Sequence, residues 1–499
     1  MQRPADATAV RAALAQRLRA AATVLLSEEF EPSANPAADA ATILHALVGH
    51  VRSSDGTAAT WLLLVAISGT FPDDATVRAT RRRLELDTTA DGMLWLLDLG
   101  LAELRATGAP LTEIDVVVDA VLVDVDFSSR NDLNTGIQRV VRSTVPIWER
   151  EHDITLVSWT ASGAFRALGP DEEDRVLRWS GTRRPAPARG ASAPRVIVPW
   201  QSVLVLPEVP GPDRCTALAS LAEHSGTAVS AIGYDFIPVV SADLMPPVEP
   251  RRFVRYLTII KHSRRVSGIS ASASAEFRGF VHMLPAQGLA GPEVSECTLP
   301  VEIPASAVAP PVGTARELPL VLVVGSHEPR KNHLAVLHAS EVLWREGLKF
   351  RLEFIGGSSW ASAGFDSVLR SLRRRGRPVS VGRGVTDNSL WKAYRAARFT
   401  VFPSLHEGFG LPVAESLAVG TPAITSNIGS MAQIAHEGGA IMIDPRDDEA
   451  LASAMRLLLT DDERLAALTA EAHARPPRTW SDYARELWTQ LVEKVEVSA

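Results

Sequence analysis

The sequence predicts an α/β protein of two domains in tandem, preceded by a helical region. Three observations predict it. Beyond residue 113, short runs of β-branched and other apolar residues alternate with helix-length stretches, the pattern of mostly parallel sheets covered on both faces. A proline-rich stretch near 300–319 divides this part in two. Before residue 112, alanine, leucine and arginine dominate and strand-like alternation is scarce. A chain of 499 residues is also too long for one ordinary core. The expected organisation is a helical region over 1–112, a first α/β domain over 113–305 and a second over 306–480. A helix over 481–499 is expected to pack back towards the first α/β domain.

The composition excludes several classes. Hydrophobic residues make up 46% and charged residues 22%, with a net charge of −7. That balance argues against a nucleic-acid binder, which needs basic surface to replace counterions. The two cysteines, Cys215 and Cys297, lie far apart without metal-ligand spacing, so packed thiols in a reducing compartment are expected. The most apolar run, Trp61 to Ile67, is too short for a bilayer that needs about 20 residues. No signal peptide is evident, and a cytoplasmic protein is expected, with peripheral contact at the inner face of a membrane left open.

In the helical region, Asp73 or Asp74 is expected to cap the helix that follows. This region shows no catalytic constellation; it reads as a bundle that packs on the rest, on a second subunit or on another protein. The run Ile114–Val125 reads as one strand, followed by a helix opened by Thr135-Gly-Ile-Gln-Arg139 and further strands near 154–159, 196–198, 203–206 and 228–232. Arg183–Pro194 reads as an exposed loop. The second domain carries strands at 320–324, 351–355, 399–402, 423–425 and 440–443. A helix with Asp387 as N-cap and Trp391 in its core face lies among them.

Two segments carry chemistry. Gly325-Ser-His-Glu-Pro-Arg-Lys-Asn332 follows a strand and precedes a helix, which sets Arg330 and Lys331 near a helix N-terminus. The dipole, free N–H groups and two cations suit a diphosphate there. Phe402-Pro-Ser-Leu-His-Glu-Gly-Phe-Gly-Leu-Pro-Val-Ala-Glu415 also runs strand, loop, helix, with Pro412 suited to the first helical turn. Gly408 and Gly410 let backbone approach a ligand. Glu407 and Glu415 can each accept hydrogen bonds from adjacent hydroxyls, on two parts of one ligand.

These residues resemble a known family. Glu407 and Glu415, with seven residues between them, match the E-x7-E signature of retaining GT-B glycosyltransferases, and the full string resembles the group 1, glycogen synthase-like members of glycosyltransferase family 4. Val385–Leu390, Tyr394–Ala397 and Val419–Ser426 resemble the flanks of that signature, and upstream Thr135–Arg139, Tyr234–Pro238 and Val266–Ser270, the last taken as the final strand of the first domain, are similar to segments of the family's N-terminal domain.

The resemblance implies a GT-B fold, two Rossmann-like domains facing a cleft, with the helical region as an appendage. It implies a retaining transferase that moves a hexose, mannose or a deoxyhexose, from a nucleoside-diphosphate sugar to a glycan, lipid-linked or protein acceptor. No metal or other cofactor is expected. Arg330 and Lys331 would bind the diphosphate beside Gly325, Glu415 the ribose and Glu407 the transferred sugar. N–H groups of Gly408, Phe409, Gly410 and Leu411 would support sugar and phosphate. Gly356, Gly384 and Val385 would lie near the base, and Gly136 would approach from the opposite domain. Asn134, Tyr234 and Asp235 would meet the acceptor, with Asp235 also counted among the catalytic residues. Two positions depart from the family pattern: Ser326 stands where many relatives carry Arg, and Tyr234 where relatives often have His. The competing class is a nucleotide-sugar-binding scaffold without turnover. Asp124-Val-Asp126 is read as a strand end rather than a metal site.

Overall fold

A computed structural model describes residues 7–28, 30–107, 112–179, 195–304 and 318–495. The loop read over 183–194 and most of the proline-rich stretch lie outside them. Five helices come first: Ala7–Leu26, Pro36–Ser53, Ala58–Ser68, Asp74–Leu86 and Thr89–Thr107. The third is buried from Ala59 to Ser68 and forms the centre of the bundle. Asp73 caps the fourth, accepting from the Thr76 N–H at 2.7 Å. This bundle does not stand apart. Phe71 packs edge-on against Trp159 and Phe165 of the following sheet, with ring centroids 5.8 and 5.2 Å apart, so helices and sheet share one core.

Arg17 ties the bundle together from inside. Its guanidinium donates to the carbonyls of Ala66 (2.7 Å), Ile67 (3.2 Å) and Thr112 (3.1 Å), and burial pulls its pKa down to about 10. Arg17→Met keeps the apolar stem and removes every donor, leaving buried carbonyls unpaired. Each such loss costs on the order of 1–3 kcal/mol. The variant is expected to unfold at lower denaturant with an unchanged m-value; an unshifted midpoint would show that the anchor is dispensable.

The first sheet has nine strands: β1 Ile114–Val118, β2 Val121–Asp124, β3 Thr155–Trp159, β4 Phe165–Ala167, β5 Val196–Trp200, β6 Val203–Leu206, β7 Ala228–Gly233, β8 Arg265–Gly268 and β9 Glu293–Glu296. Their order is β1-β5-β4-β3-β2-β6-β7-β8-β9, parallel except for β4. The run read as one strand over Ile114–Val125 is therefore two. Asp119 turns into the left-handed region (φ 51°), which a short polar side chain tolerates, and sends β2 to the middle of the sheet while β1 pairs with β5. Strand β8 is not the last of the domain either. The polar β9 pairs outside it, too short and too hydrophilic to announce itself.

The second sheet comprises β10 Leu320–Val324, β11 Arg351–Ile355, β12 Val379–Gly382, β13 Phe399–Phe402, β14 Ala423–Ser426 and β15 Ala440–Ile443. All are parallel in the order β12-β11-β10-β13-β14-β15. This is the doubly wound order whose direction reverses between its first and fourth strands, here β10 and β13, where such sheets bind ligands. The helix expected to be capped by Asp387 is capped by Thr386, whose Oγ1 accepts from the Ser389 N–H; Asp387 takes the first turn.

The chain then crosses back. Helix Trp480–Trp488 lies on helix Gly136–Glu151 of the first domain: the Trp148 Nε1–H donates to the Ala484 carbonyl (2.8 Å), and Trp488 stacks on His152 at 3.7 Å. Both cysteines are buried and unbridged. No helix among the described residues is long and apolar enough to cross a membrane.

Candidate active site

The loops after β10 and β13 meet at the switch point. The β10 loop passes Gly325 into a short turn at Pro329–Lys331, and helix His333–Arg345 begins beyond Asn332. The β13 loop ends at Gly410, whose φ of 105° is open to glycine and strained for other residues, and helix Leu411–Ala418 starts there. The backbones are laced together. The Arg330 carbonyl accepts from the Leu405 N–H (2.8 Å) and the Ser404 hydroxyl (3.1 Å), while the Arg330 guanidinium donates to the His406 carbonyl (2.7 Å).

Glu407 lies at the centre and is buried. Its carboxylate meets Lys331 Nζ at 2.5 Å and Arg330 Nη1 at 2.7 Å, and accepts from the Ser404 hydroxyl at 2.6 Å. Burial pushes this carboxyl up, but the charges of Lys331 and Arg330 outweigh it and bring the pKa down to about 2. Lys331 is pulled below its ordinary value by burial, with Arg330 as a neighbouring cation, and Glu407 only partly offsets this. The result is a compact knot of two cations around one firmly ionised carboxylate.

Glu415, also buried, accepts from the Tyr394 hydroxyl (2.8 Å) and from Arg139 Nη1 (2.5 Å). Arg139 belongs to the opposite domain, on the helix that begins at Gly136. It stands inside the Thr135–Arg139 string, yet nothing in that string says that its side chain reaches a carboxylate 276 residues away. Gly136 faces the same place: a methyl on it would lie 3.6 Å from the Leu411 side chain.

Further contacts close the cleft. His406 bonds to the Ser241 hydroxyl (2.8 Å) and Glu276 (2.6 Å), and the Ser270 hydroxyl donates to the Gly408 carbonyl (2.6 Å). Gly408 lies against Tyr234 and Asp235 so closely that a methyl would overlap the Tyr234 carbonyl. Gly356, Gly384 and Val385 sit at or just past the ends of β11 and β12, on the same edge of the sheet; the Gly356 N–H donates to the Gly382 carbonyl (3.0 Å).

The expected acceptor residues are placed differently. The Tyr234 phenol is buried and donates to the Pro207 carbonyl (2.6 Å), so its polar end is spent inside its own domain. Asn134 is exposed, but its side-chain oxygen is held by Arg142 (3.0 Å). Asp235 does reach the cleft. Burial raises its pKa, opposed chiefly by Arg330, and its Oδ1 accepts from the Ile237 N–H (3.1 Å). Asp124 ends β2 and Asp126 opens a short helix, where the latter pairs with Arg130 at 2.8 Å. The one His/Asp/Glu cluster among the described residues, Asp74, Glu223 and His224, lies away from the cleft and is bound up with Arg78.

Residues 310–475 match the family described as glycosyl transferases group 1. The chain is 26% identical over 335 residues to the serotype-specific mannosyltransferase WbdA of Escherichia coli, a match covering 63% of this chain and 38% of WbdA. The matched part thus spans about two fifths of that relative's length. It is 34% identical over 158 residues to the O-antigen chain mannosyltransferase B of Escherichia coli, covering 31% of this chain and 40% of that one. Among solved structures, HepE of Anabaena in complex with UDP and glucose superposes with a TM-score of 0.52 at 11% identity, over 75% of this chain and all of HepE. The fold is GT-B: two Rossmann-like domains, with the N-terminal helices added.

Proposed function

We propose that the protein is a retaining glycosyltransferase that moves a hexose from a nucleoside-diphosphate sugar to a glycan, lipid-linked or protein acceptor. The observation that carries this reading is the Arg330–Lys331–Glu407 knot at the switch point of the second sheet. Two cations stand at a helix start, where an anion is favoured, and the carboxylate paired with them keeps lone pairs that can accept from hydroxyls. Mannose is the favoured sugar, because relatives bear the mannosyltransferase name; a deoxyhexose is the second candidate.

On this reading the diphosphate takes over the free faces of Arg330 and Lys331, which stabilise charge on the leaving group as the sugar–phosphate bond breaks. Glu415 takes the ribose hydroxyls. That exchange releases Arg139, which then faces the diphosphate from the opposite domain. The sugar passes through an oxocarbenium-like state. Retention in hydrolases relies on a carboxylate nucleophile on the far face of the sugar; here Glu407 is locked between two cations, a poor state for a nucleophile. Attack on the leaving-group side, with the departing phosphate as base, fits this arrangement better. The closed domains exclude water and orient the acceptor.

A thermal-shift panel of GDP-, UDP-, dTDP- and ADP-sugars tests the donor site. A donor at about a hundred times its dissociation constant is expected to add roughly 2.7 kcal/mol of stability; no shift with any of them would sink the reading. Turnover of the stabilising donor, by transfer or slow hydrolysis, separates the enzyme from a nucleotide-sugar-binding scaffold, which would bind without reacting.

A further inference from the structure

A second concave site opens in the first domain, on the same edge of its sheet as the cleft. It is a cavity of about 320 Å³, walled by Phe127, Trp159, Pro212, Pro238 and Arg252, with Asp124 and Glu208 among its lining residues. Its parts come from or just after the ends of adjacent strands β2, β6 and β7, and Pro238 belongs to the turn whose Asp235 lies against Gly408. The cavity therefore borders the turn that meets the donor loop at Gly408. None of the residues expected to hold the acceptor forms its lining.

We infer that this cavity holds the acceptor, and that what it takes is an uncharged sugar residue rather than a phosphate-bearing group. The inference rests on the transferase reading and names the substrate class at its second site. Its first support is charge. Every charged side chain in the lining already has a partner or is internally bonded. Arg214 pairs with Asp213 (3.2 Å), Arg252 with Glu249 (3.1 Å) and Asp126 with Arg130 (2.8 Å). Asp124 accepts from the Trp159 Nε1–H (2.9 Å), and Glu208 from the Ser128 hydroxyl (2.6 Å) and the Phe127 N–H (2.5 Å). Burial pushes these two carboxyls up, to about 8 and about 7. A phosphate entering the described lining would have to draw Arg214 away from Asp213 or Arg252 away from Glu249, whereas hydroxyls can bond at the remaining edges of these groups.

The second support is shape and surface. Phe127 stands 40% exposed beside the cavity, and with Pro212 and Pro238 it offers flat apolar faces to the C–H face of a pyranose. Carboxyl oxygens with remaining lone pairs and the guanidinium edges of Arg214 and Arg252 surround that face, matching hydroxyl donors and acceptors. A lipid chain would meet polar groups it cannot satisfy, and a phosphate would have to displace a carboxylate from either arginine to gain a full counter-charge.

The test uses the full chain with whichever nucleoside diphosphate stabilises it, and saturation-transfer NMR as the readout. The probes are methyl α-mannoside, methyl α-glucoside and methyl α-galactoside, against mannose 6-phosphate and glycerol 3-phosphate. At least one neutral glycoside is expected to bind, more tightly than either phosphate. Phe127→Ala is expected to weaken it about tenfold or more while the nucleotide's thermal shift persists, which also shows that the variant is folded. Absence of binding by all three glycosides, tighter binding of a phosphate, or binding untouched by Phe127→Ala would each overturn the inference. If no nucleotide shifts the thermal transition, the transferase reading falls instead, so the two failures are distinguishable.

Discussion

Lys331→Ala is expected to lower kcat by at least about a hundredfold with donor saturating, the scale on which a positioned charge stabilises a leaving group. The fold should survive the change. Glu407 keeps Arg330 at 2.7 Å and the Ser404 hydroxyl at 2.6 Å, so the carboxylate is not stranded. Its titration gives an independent readout. Lys331 is the larger of the two charges that hold Glu407 down near 2 against burial; without it the carboxyl pKa rises. The sign for stability follows. A carboxyl depressed in the folded state stabilises the protein above its unfolded pKa of about 4.3, and that contribution fades as pH falls towards 2. The variant should therefore lose stability relative to the parent above that range, and the difference should shrink as the pH drops. Near-normal turnover at saturating donor would remove Lys331 from the leaving-group role, whatever the titration showed.

What could be read from the sequence was what lies close together along the chain. The second domain announced itself because β10, β11, β13, β14 and β15 are short apolar runs in a parallel sheet. Its two loops each run strand, turn, helix, so the sequence alone places Arg330, Lys331 and Glu407 in loops beyond strand ends and Glu415 on the helix that follows. Their mutual contact was a different matter: that Lys331 grips Glu407 follows from β10 and β13 being neighbours, which pairing decides. Arg139 was beyond reach for the same reason, since a helical arginine three residues after a glycine reads as surface charge until the domains close on it. The direction of the Tyr234 side chain was not legible either, because a turn does not reveal which way its side chain points; here the buried Pro207 carbonyl accepts from the phenol. The first sheet was read less completely. Strand β4 is three residues long, β9 is polar, and Asp119 breaks a run whose composition is uniformly strand-like.

Among the contacts that close the two domains, the one at Gly408 leaves no room for a side chain, and Gly408→Ala puts this to the test. A methyl at Gly408 would overlap the Tyr234 carbonyl and stand 3.0 Å from Asp235 Cβ. The first of these is main chain in the turn after β7, with no rotamer to yield, so the β13 loop and the first domain must part. Misplacement by about 1 Å is enough to cost about a hundredfold in rate. A loss of that order in kcat is expected, whereas nucleotide binding should largely remain, because Lys331, Glu407 and Glu415 all sit in the second domain and keep their own contacts. Gly279→Ala serves as the control: it lies in helix Ala271–Val281 with nothing near the added methyl, and alanine favours a helix over glycine. Small-angle scattering with saturating nucleotide should show the Gly408 variant more extended than the parent and the control. A variant with parental kcat and parental dimensions would mean that the reactive state does not need the two loops in contact, and the close approach of Gly408 to Tyr234 would then belong to the resting form alone.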